Sequence, residues 1–92
     1  MESCVNVDRM GSMRKTLHSL EQKQLRKLLR QVRLGAGLRQ ADLAKLLGKP
    51  QSFVSKFESG ERRIDVLELR QFCQAIGMSL GEFVNRLEAL LK

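Results

Sequence analysis

The Lys and Arg residues of this 92-residue chain are concentrated in its middle part, where they suit the binding of a polyanion. The whole chain has 17 Lys and Arg against 10 Asp and Glu, a net charge of +7. Residues 23–63 contain eleven of these cations and three acids, a net charge of +8, whereas residues 1–22 balance to zero and residues 64–92 carry −1. A merely solvated surface mixes both signs throughout. The asymmetry predicts a polyanion-binding face, and nucleic acid is the usual polyanion.

Residue types that commonly carry catalysis or bind metal are too few and too scattered in the sequence to form a site. His18 is the single histidine, and no Cys, Asp or Glu near it has the spacing of a metal site or a nucleophile dyad. Cys4 and Cys73 are far apart, and Cys73 lies among apolar residues that favour a buried thiol. The sequence has no glycine-rich phosphate loop. We expect no enzyme, no cofactor and no metal site.

Length and composition predict one domain with an aliphatic core. A chain of 92 residues can bury one core without disulfides or metals. Its 42% hydrophobic and 29% charged residues are ordinary for a folded soluble domain. No apolar run is long enough to cross a bilayer, and the N-terminus lacks the apolar block of a secretory signal. We expect a cytoplasmic protein that makes no membrane contact.

Helix-start and helix-stop signals divide the first two thirds of the domain into three predicted helices. Helix one begins with a serine–glutamine capping pair at Ser19, and the Gly-Ala-Gly of residues 35–37 ends it. Helix two runs from about residue 40 to 47. Pro50 suits the first turn of a helix, so helix three starts there and ends before Gly60.

Two further start signals predict helices four and five. Asp65 with Glu68, and Ser79 with Glu82, each have the spacing of a capping box. With no β-branched alternation in the sequence, we predict an all-α, compact five-helix bundle. Residues 1–18 lack periodicity, which predicts a flexible N-terminal tail ahead of a folded domain at residues 19–92.

The stretch from residue 38 to 63, LRQADLAKLLGKPQSFVSKFESGERR, has the plan of a helix-turn-helix. Its apolar residues can bury one face of both short helices. Ala44 is small where these helices must approach, and Gly48 permits the tight turn between them. The predicted unit spans residues 39–60.

This stretch resembles the helix-turn-helix of the phage-repressor (Cro/Xre-like) family without a gap. The matching residues are Gln40, Ala44, Gly48, Val54, Glu58 and Gly60. The similarity covers roughly residues 19–91 and implies a lambda-repressor-like DNA-binding domain. It implies sequence-specific binding of double-stranded DNA by a transcriptional regulator, a repressor. The alternative is an antitoxin or a protein-interaction module with the same fold, although such a module would not need the positive charge of residues 23–63.

The resemblance also implies individual roles, with helix three in the major groove of DNA. The implied base-reading residues, with Ser55 lying between the others, are Gln51, Ser52, Ser55 and Lys56. The implied phosphate-binding residues in and around the unit are Gln40, Lys49, Arg62 and Arg63. Arg33 and Glu58 match a family pair that forms a structural salt bridge between helices one and three.

Two residues depart from the family pattern. Arg39 stands where the family prefers Ser or Thr as the N-cap of helix two, and our hypothesis is that Arg39 binds a phosphate instead. Phe53 is unusual at an exposed position of helix three. Its ring either touches a thymine methyl group or covers neighbouring apolar surface, and the sequence does not choose between them.

The apolar residues of the last helix predict a surface that binds a partner. Leu87, Leu90 and Leu91 extend past what a monomer core needs, which favours a homodimer formed through helix five. The alternative is that these leucines pack on helix one. Because the family includes antitoxins, a toxin is a further protein partner to consider.

Overall fold

A computed structural model describes residues 11–92 of the chain, which form five α-helices. The helices are α1 (Gly11–Gly35), α2 (Gln40–Leu47), α3 (Gln51–Ser59), α4 (Val66–Ile76) and α5 (Leu80–Leu91). The predicted all-α, five-helix architecture is confirmed. Within the described part of the chain, no helix has the length and apolar character needed to cross a membrane.

Helix α1 starts earlier than the sequence pattern predicts, at Gly11 instead of Ser19. Residues 12–34 contain neither glycine nor proline, so nothing in this stretch interrupts the helix. The serine–glutamine pair at Ser19 therefore lies inside α1 and does not cap it. The predicted flexible tail, residues 1–18, overlaps the first part of α1, and its first ten residues lie outside the described residues.

The turn between α2 and α3 depends on a glycine in the left-handed conformation. Gly48 has φ +68°, and its N–H and that of Lys49 donate to the carbonyls of Lys45 and Ala44. These bonds satisfy two of the last four carbonyl groups of α2. Pro50 follows in extended conformation as the N-cap of α3, one residue ahead of the helix that the sequence placed it in. The turn brings α3 across α2 in the manner of a helix-turn-helix.

All five helices contribute to one core. The helix-turn-helix supplies Leu43 and Ala44 from α2, and Val54 and Phe57 from α3, each at most 2% exposed. Around these pack side chains of the other helices, namely Leu28, Leu29, Val32, Leu69, Phe72, Cys73 and Phe83. Cys73 is buried, as its surroundings in the sequence predict, and burial raises the pKa of its thiol.

The start signals of α4 and α5 act as caps. The carboxylate of Asp65 accepts from the N–H of Glu68 at 2.7 Å, and that of Glu68 accepts from the N–H of Asp65 at 3.0 Å. At α5, Ser79 accepts from the N–H of Glu82, but the Glu82 carboxylate accepts from Arg86 instead of completing the box. The predicted starts of α4 and α5 are therefore confirmed.

Candidate nucleic-acid interface

Helix α3 is anchored by one face and presents the other to solvent. Helix α3 packs against α1 and α2, and the burial of Val54 and Phe57 fixes the rotation of the helix about its axis. The opposite face carries the exposed residues Gln51, Ser52 and Lys56. Ser55 is half-buried, and its hydroxyl donates to the carbonyl of Ser52 at 3.2 Å. Three of the four predicted base-reading residues thus lie on an accessible surface, and Ser55 lies at its edge.

The ion pair between Arg33 and Glu58 joins α1 to α3 inside the protein. Nε and Nη2 of Arg33 donate to the two carboxylate oxygens of Glu58, at 2.6 and 2.9 Å. Both side chains are only 6% exposed. Nη1 of Arg33 donates to the carbonyl of Leu38 at 2.8 Å, which also ties in the loop before α2. A planar guanidinium suits this bidentate geometry.

A chain of hydrogen bonds runs from this ion pair to the exposed face of α3. Nε2 of Gln40 donates to Oε1 of Glu58 at 3.1 Å, and Oε1 of Gln40 accepts from Nε2 of Gln51 at 3.5 Å. Gln40 is half-buried at the first turn of α2, where backbone N–H groups favour an anion. These hydrogen bonds hold Gln40 and Gln51 side by side, so one predicted phosphate-binding residue adjoins one predicted base-reading residue.

Arg39 is the N-cap of α2 without a side-chain acceptor for the helix. Asp42 compensates, because its carboxylate accepts from the Arg39 backbone N–H at 2.9 Å and from the Arg39 guanidinium at 3.0 Å. Hydrogen bonds from Arg39 lower the pKa of Asp42 to about 2. The Arg39 side chain is nevertheless 83% exposed, at the edge of the helix-turn-helix. Sequence analysis missed the role of Asp42, although an acid three residues after the N-cap is a known signal.

Of the three predicted phosphate-binding cations around α3, two follow the helix and one precedes it. Arg62 is 44% exposed and pairs with Glu68 of α4 at 2.9 Å. Arg63 is exposed and follows it in the same loop. Lys49, also exposed, lies before α3 in the turn. The three cations therefore flank α3 at both of its ends.

Phe53 is half-buried and covers apolar surface, one of the two alternatives that the sequence left open. Its ring meets that of the buried Phe57 edge to face, with 4.6 Å between centroids and 71° between planes. The Lys49 ammonium and the Arg62 guanidinium lie 5.4 and 4.9 Å from the Phe53 centroid.

Helix α1 supplies cations that sequence analysis did not assign to the interface. The Arg26 guanidinium lies over Gly60, so close that a Cβ at that position would be 3.0 Å from it. Arg26 lines a cleft of about 300 Å³ together with Arg62 and Arg63. Arg30 borders a second cleft, of about 510 Å³, next to α3. The available signal was their spacing, since Arg26 and Arg30 lie seven and three residues before Arg33 in α1.

Known proteins share this sequence pattern and this fold. The sequence model of a family described as helix-turn-helix matches residues 29–83. A solved structure of an XRE-family like protein from Pseudomonas syringae pv. tomato str. DC3000 is similar, with a TM-score of 0.79 and 45% identity. That similarity covers 85% of this chain and 95% of the other. No curated protein sequence matches the chain.

Replacing Glu58 tests the buried ion pair. In Glu58→Ala the Arg33 guanidinium loses its counterion inside the protein, so we expect the free energy of unfolding to fall by about 3–5 kcal/mol. Urea denaturation followed by circular dichroism measures this change. Arg86→Ala removes an exposed ion pair on α5 and should cost less than about 1 kcal/mol. Equal losses in the free energy of unfolding of the two variants would show that the buried ion pair stabilises the protein no more than the exposed one does.

The titration of Asp42 tests its role at α2. We expect the Asp42 carboxyl in the intact protein to titrate at about pH 2. In Arg39→Ala the midpoint should rise toward the usual Asp range, because the guanidinium that favours the carboxylate is gone. A lowered folded-state pKa gives stability that is present above the unfolded value and is lost as pH falls toward 2. NMR of the carboxyl carbon measures the midpoint, and Arg70→Ala on α4 should leave it unmoved.

Proposed function

We propose a function from the family of this chain, which belongs to the Cro/Xre-like helix-turn-helix family of DNA-binding regulators. The proposed function is sequence-specific binding of double-stranded DNA and repression of transcription. The observation that carries the proposal is the exposed face of α3, where Gln51, Ser52 and Lys56 stand between cations at both helix ends. A major groove about 12 Å wide admits a helix of this kind. A protein bound to an operator that overlaps a promoter excludes other proteins from it, and this exclusion would repress transcription.

Base reading is assigned to the exposed face of α3. The Gln51 amide offers a donor and an acceptor together, as the edge of adenine requires, and Lys56 donates to the acceptors of guanine. Ser52 can pair with several bases. Ser55 is half-buried and already bonded to its own helix, so its contribution is a contact at the groove edge. Because Gln40, itself held by Glu58, orients Gln51, the Gln51 amide meets the base with little loss of side-chain entropy.

Phosphate binding is assigned to residues around α3. Gln40 stands at the N-terminal end of α2, where its amide and the backbone N–H groups face an anion together. Arg39 is exposed beside it, and its guanidinium has donors to spare beyond those that Asp42 accepts. Lys49, Arg62 and Arg63 bind the backbone on the two sides of the groove. These contacts fix the protein on DNA and carry no base preference.

Dimerisation is assigned to an apolar surface on α5. Val84, Leu90 and Leu91 are 39%, 44% and 37% exposed, while Leu87 between them is half-buried against the core. The residues at 84, 87 and 91 share one face by helical spacing. Two copies joined there would read a two-fold symmetric operator with half-sites about one helical turn (~34 Å) apart. One short helix by itself contacts too few base pairs for useful specificity.

Selection of binding sites from random duplex DNA tests the function. We expect a two-fold symmetric consensus. Gln51→Ala should lose roughly 1–3 kcal/mol on that consensus, little on random DNA, and relax the preference at one base pair. Arg62→Ala should weaken both complexes alike and make the log–log salt slope shallower by about one unit. Recovery of no enriched duplex would overturn the proposal, and equal losses on both DNAs for Gln51→Ala would remove its base-reading role.

The self-association of free protein tests the dimer. Sedimentation equilibrium should give a concentration-dependent dimer, which Leu90→Glu shifts to monomer because a carboxylate in an apolar interface costs several kcal/mol. Leu67→Glu is the matched control, since Leu67 is 69% exposed on a different helix, α4. A wild-type protein that stays monomeric both free and on DNA would contradict the dimer and leave the α5 surface to a different protein, such as a toxin.

A further inference from the structure

Two cations from opposite ends of α3 meet at one aromatic ring. Lys49 lies in the turn before α3 and Arg62 in the loop after it, thirteen residues apart in sequence. The Lys49 ammonium nitrogen is 5.4 Å, and the Arg62 guanidinium carbon 4.9 Å, from the centroid of Phe53. Both distances are within the range of a cation–π interaction.

The ring is fixed, and so is one of the cations. Phe53 meets the buried Phe57 edge to face and packs on the core, which limits its rotation. Arg62 also lies 4.9 Å from the Phe57 centroid, and its Nη2 donates to Glu68. Glu68 in turn is held by the cap of α4, through the N–H of Asp65. The position of the Arg62 side chain is therefore set by its contacts with Phe57 and Glu68, and not by the loop in which Arg62 lies.

Lys49 differs from Arg62 because it has no carboxylate partner among the described residues. Among the described residues, the ammonium group of Lys49 lies against the ring of Phe53, so no carboxylate there neutralises the positive charge of Lys49. Like charges repel, and the negative face of an aromatic ring offsets part of that repulsion. Such a pair of cations suits a phosphodiester backbone, because both side chains are already positioned before DNA binds and lose little conformational entropy on binding.

We propose that Phe53 is a positioning residue of the DNA interface: its ring gathers Lys49 and Arg62 into one phosphate-binding pair at the edge of α3. This inference rests on the proposed function. It assigns to Phe53 a contribution to affinity that is independent of base sequence. A direct contact between Phe53 and a thymine methyl group would instead give a preference at one base pair.

A double-mutant cycle in DNA binding tests the proposal. Phe53→Leu keeps an apolar side chain but loses the aromatic face, so we expect affinity for selected and random duplexes to fall alike, about three- to tenfold. The log–log salt slope should become shallower, by up to about one unit. Phe53→Trp, which keeps an aromatic face, should retain wild-type affinity. In the Lys49→Gln/Arg62→Gln background, Phe53→Leu should change neither affinity nor slope.

Ile76→Ala, a truncation of a half-buried side chain on α4, outside both the α3 surface and the proposed dimer surface, is the control for loss of stability. It should leave both the affinity and the salt slope unchanged at temperatures where the variants are folded. A loss from Phe53→Leu that persists without Lys49 and Arg62, or that is confined to one base pair, would overturn the positioning role while the proposed function stood. A wild-type chain that binds no duplex DNA would overturn both.

Free protein supplies a second measurement. Ring currents of Phe53 should shift the Lys49 ε-methylene and Arg62 δ-methylene proton resonances upfield, and Phe53→Leu should return them to ordinary positions. Unshifted resonances in the wild-type protein would show that the ring does not hold the cations in solution, which overturns the proposal whatever the DNA measurements give.

Discussion

The buried ion pair between Arg33 and Glu58 is the interaction on which the geometry of this interface depends. It joins α1 to α3, reaches the loop before α2 through the Leu38 carbonyl, and orients Gln40. Burial of two charges is costly unless every donor and acceptor is used. Here the guanidinium gives three hydrogen bonds and the carboxylate accepts three, and no buried side-chain polar atom in the described part of the chain lacks a partner. The pair thus specifies one relative placement of three helices.

The surface around α3 is organised from two directions. On one side the ion pair continues through Gln40 to Gln51, so the order of the interior extends to an exposed amide. On the other side the packing of Phe53 on Phe57 continues to Lys49 and Arg62. Hydrogen bonds need defined angles, whereas a cation over a ring tolerates small displacements. That difference is consistent with the roles proposed above, base reading by Gln51 on the first side and phosphate binding by Lys49 and Arg62 on the second.

Some of the positive charges of the sequence are paired with carboxylates and others are not, a difference that the net charge does not show. Arg33 is buried and neutralised by Glu58, and Arg39 and Arg62 share their charge with Asp42 and Glu68. Arg26 and Arg30, by contrast, come from α1 to line the clefts beside α3. Part of the positive charge beside α3 therefore comes from α1, while Arg33, on the same helix, is neutralised inside the protein.

The resemblance to the family supplied the Arg33–Glu58 pair. The sequence by itself determined the all-α class, the starts of α2, α4 and α5, and the start of α3 to within one residue. These follow from signals that act within a few residues, such as the glycine at 48 and the capping box at Asp65. The predicted start of α1 is wrong because Ser19 has the sequence pattern of an N-cap but lies inside the helix. Only the tertiary structure decided which surface Phe53 covers, which carboxylate holds Arg62, and that Arg26 lies over Gly60. Those contacts join residues from different elements, and they depend on how far each helix is rotated about its axis. Core packing sets that rotation, and no local pattern encodes it.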